Sequence, residues 1–505
     1  MRAHYIFCTL IFLLLGGCAG QTRESGEQPW QIHCETEETY ALDFMALPGV
    51  YHGRWLWGLD DKGEEILLQG HLEDGFFHLS RVLTSSSEVI PNNRAALRQV
   101  CLDTLTQTEQ EESLSLGRIR AARFSADIDV PILFPEDSSE SDEVTQMVLF
   151  GDSLSDTGRL KHRIQVFPSQ PYWLGRFSDG PVWPDYLEGS TKLSVQNLAY
   201  GGASVARAEH LQDGGFVAFV RAGGQFYVSG SIAQQVEDYV NGRLVAGQVS
   251  APEKTVFVIW AGANDYISKE PITGLITTFL NSPDSELGYM PVVDETIVGI
   301  AEQVRILHQA GAKKILLINM PDLGATPIVL QNTTYTLDWE GASESERRFQ
   351  LSRRLSKLTD YHNKSLAKVV DQLNMELTGS TVLLVDSQGL TNSILAGRSF
   401  LDNGKAFDYG FVMDMLTEEL VSDDKILKVP KRCYTGRYIG SVDSDDICHA
   451  SQRAFFWDVV HPTSYAHCWQ AYQVVRELAD AGWVGAPPAP AEYRQWCQSF
   501  IGRLQ

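Results

Sequence analysis

The sequence predicts an α/β fold: a doubly wound domain on a parallel sheet, from about residue 144 to the C-terminus, behind a small N-terminal domain with β content. Three observations carry this reading. Four short, nearly continuous apolar runs recur: Val144 to Phe150, Thr255 to Trp260, Lys314 to Asn319 and Val382 to Asp386. Runs of that kind suit strands of a parallel sheet buried on both faces. Helical patterns lie between them, and alternating strand and helix is the signature of a doubly wound sheet. Lastly, 505 residues exceed the roughly 250–300 at which one core stops growing, so one large domain with a smaller companion is expected.

The chain begins with an address. Arg2 and His4 precede an apolar run from Tyr5 to Leu15, too short to span a bilayer and matched to a secretory signal. The run ends in Leu15-Gly16-Gly17-Cys18, which resembles a bacterial lipobox whose cysteine is acylated and becomes the first mature residue. Residues 1–18 are therefore expected to form a signal peptide, with ordinary cleavage after Ala19 or Gly20 as the alternative. Export is expected, to the outer membrane or cell surface as a lipoprotein or to the medium as a secreted protein. The association with membrane would be peripheral or lipid-anchored.

Residues 19–135 read as the small domain. Gly53 to Gly58, Glu65 to Leu68 and Phe76 to Leu79 are short apolar runs, and Asp60, Asp61 and Gly63 supply turn chemistry. Residues 136–143 hold five acids and three serines, with nothing to bury, and read as a linker. The large domain is then 144–505. Within it Ser231-Ile232-Ala233-Gln234 opens a helix with a capping box that ends near Asn241-Gly242. Ile297 to Gln309 is amphipathic and stops before Gly311, a C′ residue.

Cysteines agree with export. Of eight, Cys8 and Cys18 lie in the leader, leaving Cys34, Cys101, Cys433, Cys448, Cys468 and Cys497. An even number in an exported chain implies disulfides. Proximity favours Cys34–Cys101, Cys433–Cys448 and Cys468–Cys497, although cross-pairing among the last four stays open. A Cys433–Cys448 bridge would order a polar loop just upstream of Asp458 and His461. No C-x-x-C spacing occurs, so a zinc site is not expected.

The formal net charge is −23, with 44% apolar and 21% charged residues. That sign excludes a nucleic-acid partner, which needs a basic footprint, and disfavours a polybasic grip on anionic lipid. The apolar content excludes a disordered chain.

In sheets of this kind ligands sit beyond the carboxyl ends of strands. Gly151-Asp152-Ser153 follows the first run and Gly262-Ala263-Asn264-Asp265 the second. A serine so placed can act as a nucleophile if a base reaches it. Asp458-Val459-Val460-His461-Pro462 offers one: on one tight turn the carboxylate can hold Nδ1–H while Nε2 points outward. Acyl transfer also needs donors for a developing oxyanion. Asn197 to Ala203, with Gly201 and Gly202, is a loop whose backbone N–H groups can approach a ligand, and Asn264 carries an amide at a strand end.

These blocks together resemble the GDSL, or SGNH-hydrolase, family of lipases and esterases. Gly151 to Gly158 is similar to its nucleophile block, Asn197 to Ala203 to its Gly block, Gly262 to Asp265 to its Asn block and Asp458 to His461 to its Asp-x-x-His block. Gly175 to Trp183 is similar to a further segment of these lipases. Arg159 departs from the pattern, since many relatives have Asn after Asp-Thr-Gly. The resemblance implies a three-layer α/β/α domain, a catalytic triad of Ser153, Asp458 and His461, and an oxyanion hole of Ser153, Gly202 and Asn264, with Gly201 as the alternative glycine. It implies no metal and no organic cofactor. The long form looks like the bacterial thermolabile haemolysins, lecithinases and glycerophospholipid–cholesterol acyltransferases, which points to lipid acyl esters, with water or an alcohol as acceptor. A carbohydrate or short-chain acetyl esterase is the runner-up, and a surface binding protein on a hydrolase fold is the non-enzymatic one. The elbow G-x-S-x-G of α/β-hydrolases, H-E-x-x-H and the P-loop are all missing from the sequence.

Overall fold

A computed structural model describes the backbone of five strands between residues 30 and 121 and most of residues 144–501. Within the second span it omits 161–167, 169–170, 192, 206–230, 245–250, 268–289, 331–341, 398–399, 403–404, 412–416, 437, 439–445 and 449–452. The leader with Cys18, the acidic stretch 136–143 and the Cys34–Cys101 pairing lie outside the described residues.

The β content expected of the N-terminal stretch is present as β1 (Trp30–Glu38), β2 (Arg54–Leu59), β3 (Glu65–His71), β4 (Leu79–Ser87) and β5 (Ile119–Ala121). β1 lies between β4 and β5, antiparallel to both, and β2 pairs with β3.

The large domain is built on β6 (Gln146–Gly151), β7 (Ser194–Asn197), β8 (Thr255–Trp260), β9 (Lys314–Ile318) and β10 (Thr381–Val385). They form one parallel sheet in the order β10-β9-β8-β6-β7. The four predicted runs are four of these strands. The fifth, β7, has only four residues at the sheet edge, too short for a periodic signal.

Period-two alternation divides each central strand between two apolar cores. Val148, Phe150, Phe257, Ile259, Ile315 and Leu317 face one. Met147, Leu149, Val256, Val258, Leu316 and Ile318 face the other. The first core is covered by α2 (Ile232–Leu244), α4 (Met290–Gln309) and α5 (Glu344–Glu376). The second is covered by α1 (Trp183–Ser190), α6 (Ser387–Leu395), α7 (Ser464–Asp480) and α8 (Pro490–Ile501). This is the three-layer α/β/α arrangement expected. A short α3 (Ala263–Ile267) follows β8 directly.

Helix starts follow local chemistry. The Ser231 hydroxyl accepts from the Gln234 N–H at 3.1 Å, one half of the expected capping box, while the Gln234 amide donates to Asp238 at 2.6 Å. α4 begins seven residues before the predicted Ile297. Pro291 reads as a breaker but occupies the first turn, where its missing N–H costs nothing. Gly311, at φ +104°, follows the other end of α4. Both described disulfides match the proximity pairings: Cys433–Cys448, and Cys468–Cys497 joining α7 to α8.

The sheet order reverses between β6 and β8: the chain runs outward from β6 to β7, then returns and runs from β8 to β10 the other way. Ligands sit at such a switch point. Ser153 lies just past β6 and Asn264 just past β8.

Candidate active site

Ser153 is held at the mouth of the switch point by side-chain bonds to the backbone around it. The Gln235 side chain of α2 grips Gly151 on both sides, accepting its N–H at 3.0 Å and donating to its carbonyl at 2.9 Å. Asp152 closes the turn by accepting the Leu154 N–H at 3.0 Å. Asp156 accepts from the N–H groups of Gly158, Arg159, Leu160 and Gly201, tying the nucleophile turn to the glycine loop. Both aspartates are buried, and burial raises them, Asp152 to about 7 and Asp156 to about 6.

The base comes from the far end of the chain. His461 Nε2 lies 2.7 Å from Ser153 Oγ. Its Nδ1 lies 2.7 Å from Asp458 Oδ2 and 2.9 Å from Oδ1. Asp458 Oδ1 also accepts the N–H groups of Val460 at 3.0 Å and His461 at 2.8 Å, so the turn wraps its own carboxylate. Burial pushes Asp458 up, but the charge and hydrogen bonds of His461 outweigh it and hold the group below the usual carboxylate range. The turn is pinned from the Gly175–Trp183 block: Ser178 donates to the Pro462 carbonyl at 3.0 Å, Asp179 accepts the Ser464 N–H at 2.7 Å, and the Phe177 ring lies 5.0 Å from His461.

The glycine loop offers two N–H groups with different fates. Gly201 donates to Asp156 Oδ2 at 2.8 Å, and a Cβ there would lie 2.3 Å from the Phe177 ring. Gly202, at φ +79°, lines the cavity beside Ser153. Among the described residues neither its N–H nor that of Ser153 finds an acceptor. The Asn264 amide nitrogen lines the same space and donates to the Ala203 carbonyl at 3.0 Å and to Asp152 Oδ2 at 3.2 Å. All five residues singled out in the sequence thus meet at one place. Arg159 lies beside them, its guanidinium 4.5 Å over the Tyr200 ring and 2.9 Å from the Asn197 carbonyl.

The cavity holds about 280 Å³. Its walls away from Ser153 are mostly apolar, with Trp260, Ile267, Leu323, Ile328, Leu390 and Phe456 among them beside a few polar groups such as Thr391 and Gln470. Sequence reading missed three aromatic residues around the base. Phe177 was within a recognised block but had no role assigned. Tyr172 donates to Asp458 Oδ2 at 2.7 Å, and the Tyr438 hydroxyl lies 3.3 Å from His461 Nδ1. The sequence signal for Tyr438 is slight: it is one of two tyrosines, with Tyr434, between Cys433 and Cys448.

Residues 147–474 match the model of the GDSL-like lipase/acylhydrolase family. Over 451 residues the chain is 21% identical to the thermolabile hemolysin of Vibrio parahaemolyticus, covering 88% of this chain and 86% of that one. It is 24% identical over 342 residues to the phosphatidylcholine-sterol acyltransferase of Aeromonas hydrophila, covering 64% and 87% respectively. Among solved structures, an acetyl-xylooligosaccharide esterase from Geobacillus matches with a TM-score of 0.32 and 14% identity, covering 69% of this chain and 100% of that one. The chain belongs to the GDSL-like lipase/acylhydrolase family and is a carboxylic ester hydrolase.

Proposed function

We propose that the chain is a serine acyl-hydrolase of lipids, a phospholipase A, lysophospholipase or lipase, with Ser153, His461 and Asp458 as its triad. One observation carries the reading: the 2.7 Å contact between Ser153 Oγ and His461 Nε2 opens onto a cavity with mostly apolar walls. Ser153 Oγ attacks the acyl carbonyl as His461 Nε2 takes its proton; the imidazolium then protonates the leaving alcohol. Asp458, ionised and bonded to Nδ1, fixes the tautomer and steadies the imidazolium. Water, or an alcohol in acyl transfer, repeats the sequence on the acyl-enzyme.

The N–H groups of Ser153 and Gly202 receive the oxyanion, with the Asn264 amide as third donor. Asn264 keeps its 3.0 Å bond to Ala203 and turns toward the oxyanion the hydrogen now shared with Asp152 at 3.2 Å. Gly201 is the weaker candidate because its N–H is already spent on Asp156. The apolar walls favour an acyl chain over an acetyl group, and the names of the two curated relatives favour lipid. Acylation of Cys18 would place the enzyme at a membrane surface.

A panel of phospholipids, lysophospholipids, triglycerides and acetylated oligosaccharides, offered to wild type and Ser153→Ala, tests this. Lipid hydrolysis by wild type, lost in the variant, is expected. A preference for acetylated sugars would overturn the lipid reading and leave the esterase; a fluorophosphonate probe that still labels Ser153→Ala would overturn the triad.

A further inference from the structure

A buried carboxylate is costly unless its charge is met by donors on several sides. The Asp458 turn supplies backbone N–H groups and the imidazole, all to one local segment. Two tyrosines from elsewhere complete the set. Tyr172 donates to Asp458 Oδ2 at 2.7 Å across 286 positions. The Tyr438 hydroxyl lies 3.3 Å from His461 Nδ1, where the charge of Asp458 acts on it. The two phenol rings stack, 5.2 Å between centroids and 23° between planes.

The scaffold behind them is equally specific. Tyr434 stacks on Trp457, the neighbour of Asp458, at 5.3 Å and 14°. The Cys433 and Tyr434 N–H groups donate to the carbonyls of Phe456 and Trp457 at 3.0 and 2.6 Å. Cys433 is bonded to Cys448, so the segment carrying Tyr438 is closed onto the triad turn at both ends.

We propose that Tyr172 and Tyr438 are positioning residues for the triad: their hydroxyls fix the plane of the Asp458 carboxylate and spread its negative charge, so that His461 is aimed at Ser153. This rests on the triad reading above. Burial and the charge of Asp458 push both phenols well above their ordinary range, so both stay protonated donors. Among the described residues, the other titratable or charged groups around the triad and its tyrosines include Asp152 after β6, His467 on α7, which burial lowers to about 3, Tyr434 beside Tyr172, and Arg432 facing Tyr438.

The test is the pH profile of kcat/KM for Tyr172→Phe and Tyr438→Phe on a soluble chromogenic ester, with the downfield Nδ1 proton followed by NMR. Without a phenol hydroxyl the carboxylate holds a proton on its partner more tightly. The acid limb should therefore move up by about half to one pH unit, a fraction of the full worth of one hydrogen bond to a charge, because the effect passes through Asp458 to its partner. For Tyr172→Phe, kcat should fall about tenfold with KM nearly constant, the signature of an interaction lost in the transition state. Tyr438→Phe should follow with a smaller drop, and the Nδ1 resonance should shift in both. Unmoved acid limbs in both variants would overturn the proposal, whether activity holds or falls together with Tm. If Tyr172→Phe does not fold, Tyr438→Phe decides alone. Fluorophosphonate labelling of wild-type Ser153 separates the layers: no label removes the triad and this proposal with it, whereas label with unmoved limbs removes only the tyrosines.

Discussion

The two arms of the site are built from different material. Ser153, Gly202 and Asn264 hang from the ends of β6, β7 and β8, in a frame of strand pairing to which the Gln235 side chain adds its grip on Gly151. Asp458 and His461 stand on a turn that no strand directly precedes among the described residues, held by the side chains of Tyr172, Tyr438, Ser178 and Asp179 and by backbone bonds from Cys433 and Tyr434, which the Cys433–Cys448 bridge anchors. Their electrostatics differ too. Burial raises Asp152 on the first arm, while bonding partners lower Asp458 on the second. A sheet-built arm is rigid at no extra cost, whereas a loop-built arm is only as well placed as its side-chain clamps. Mutations should therefore remove chemistry on the first arm and alignment on the second.

The largest effect that sharpens this contrast is expected from Asn264→Ala. Deleting one oxyanion donor typically lowers kcat about 10²–10³-fold with little change in substrate affinity. Because the sheet frame stays, Tm should change far less than activity. Steady-state kinetics beside a thermal melt check it; an unchanged kcat would make Asn264 a tie between Asp152 and Ala203 and nothing more.

The disulfides come next. The Cys433–Cys448 link spans 15 residues, and closing such a loop removes about 3 kcal/mol of unfolded-chain freedom in the simple entropy model. Replacing both cysteines by serine should lower stability on that scale and cut kcat several-fold in the protein that remains folded, since Tyr438 loses its anchorage. Cys468–Cys497 spans 29 residues and ties α7 to α8. Its double serine variant should lose comparable stability with kcat nearly intact. Equal activity loss in the two variants, measured per folded molecule, would erase the distinction between the arms.

The same division explains what could be read in the sequence. Ser153 and Asn264 were legible because a buried strand shows itself as a local apolar run, and the residues after it inherit a position. The spacing of Asp458 and His461 was legible because both lie on one turn. Tyr172 and Tyr438 were not, because their meaning comes from contacts that only the folded chain makes, 286 positions apart in the case of Tyr172 and Asp458. The start of α4 lies before the predicted Ile297 because Pro291, a local breaker elsewhere, is harmless in the first turn of a helix whose Val293, Thr296 and Ile297 face the core. The 33-residue α5 carries its own local start signal, with Ser343 as cap and Glu344 and Glu346 in its first turn.

The smallest effect is a slope. Burial raises Asp152 from 3.8 to about 7 in the folded chain. Below 3.8 both folded and unfolded chains hold this proton, and the group adds no pH dependence. Between 3.8 and about 7 the unfolded chain has released the proton while the folded chain keeps it, so the folded state binds more protons and stability falls as pH rises. Above about 7 the loss is complete, about 4 kcal/mol from this group by linkage. Asp156 and Asp179, raised to about 6 by burial, act with the same sign over a narrower window. Asp458, held low, changes stability only at more acidic pH and does not enter this range. Asp152→Asn removes the ionisation while its amide oxygen can still accept the Leu154 N–H. The variant loses the Asn264 contact at every pH, so the readout is the slope: ΔG of unfolding from urea titrations at pH 5 and pH 8 should differ less in Asp152→Asn than in wild type. Equal slopes in the two proteins would mean that Asp152 is ionised throughout, and that the two arms do not differ in charge state at all.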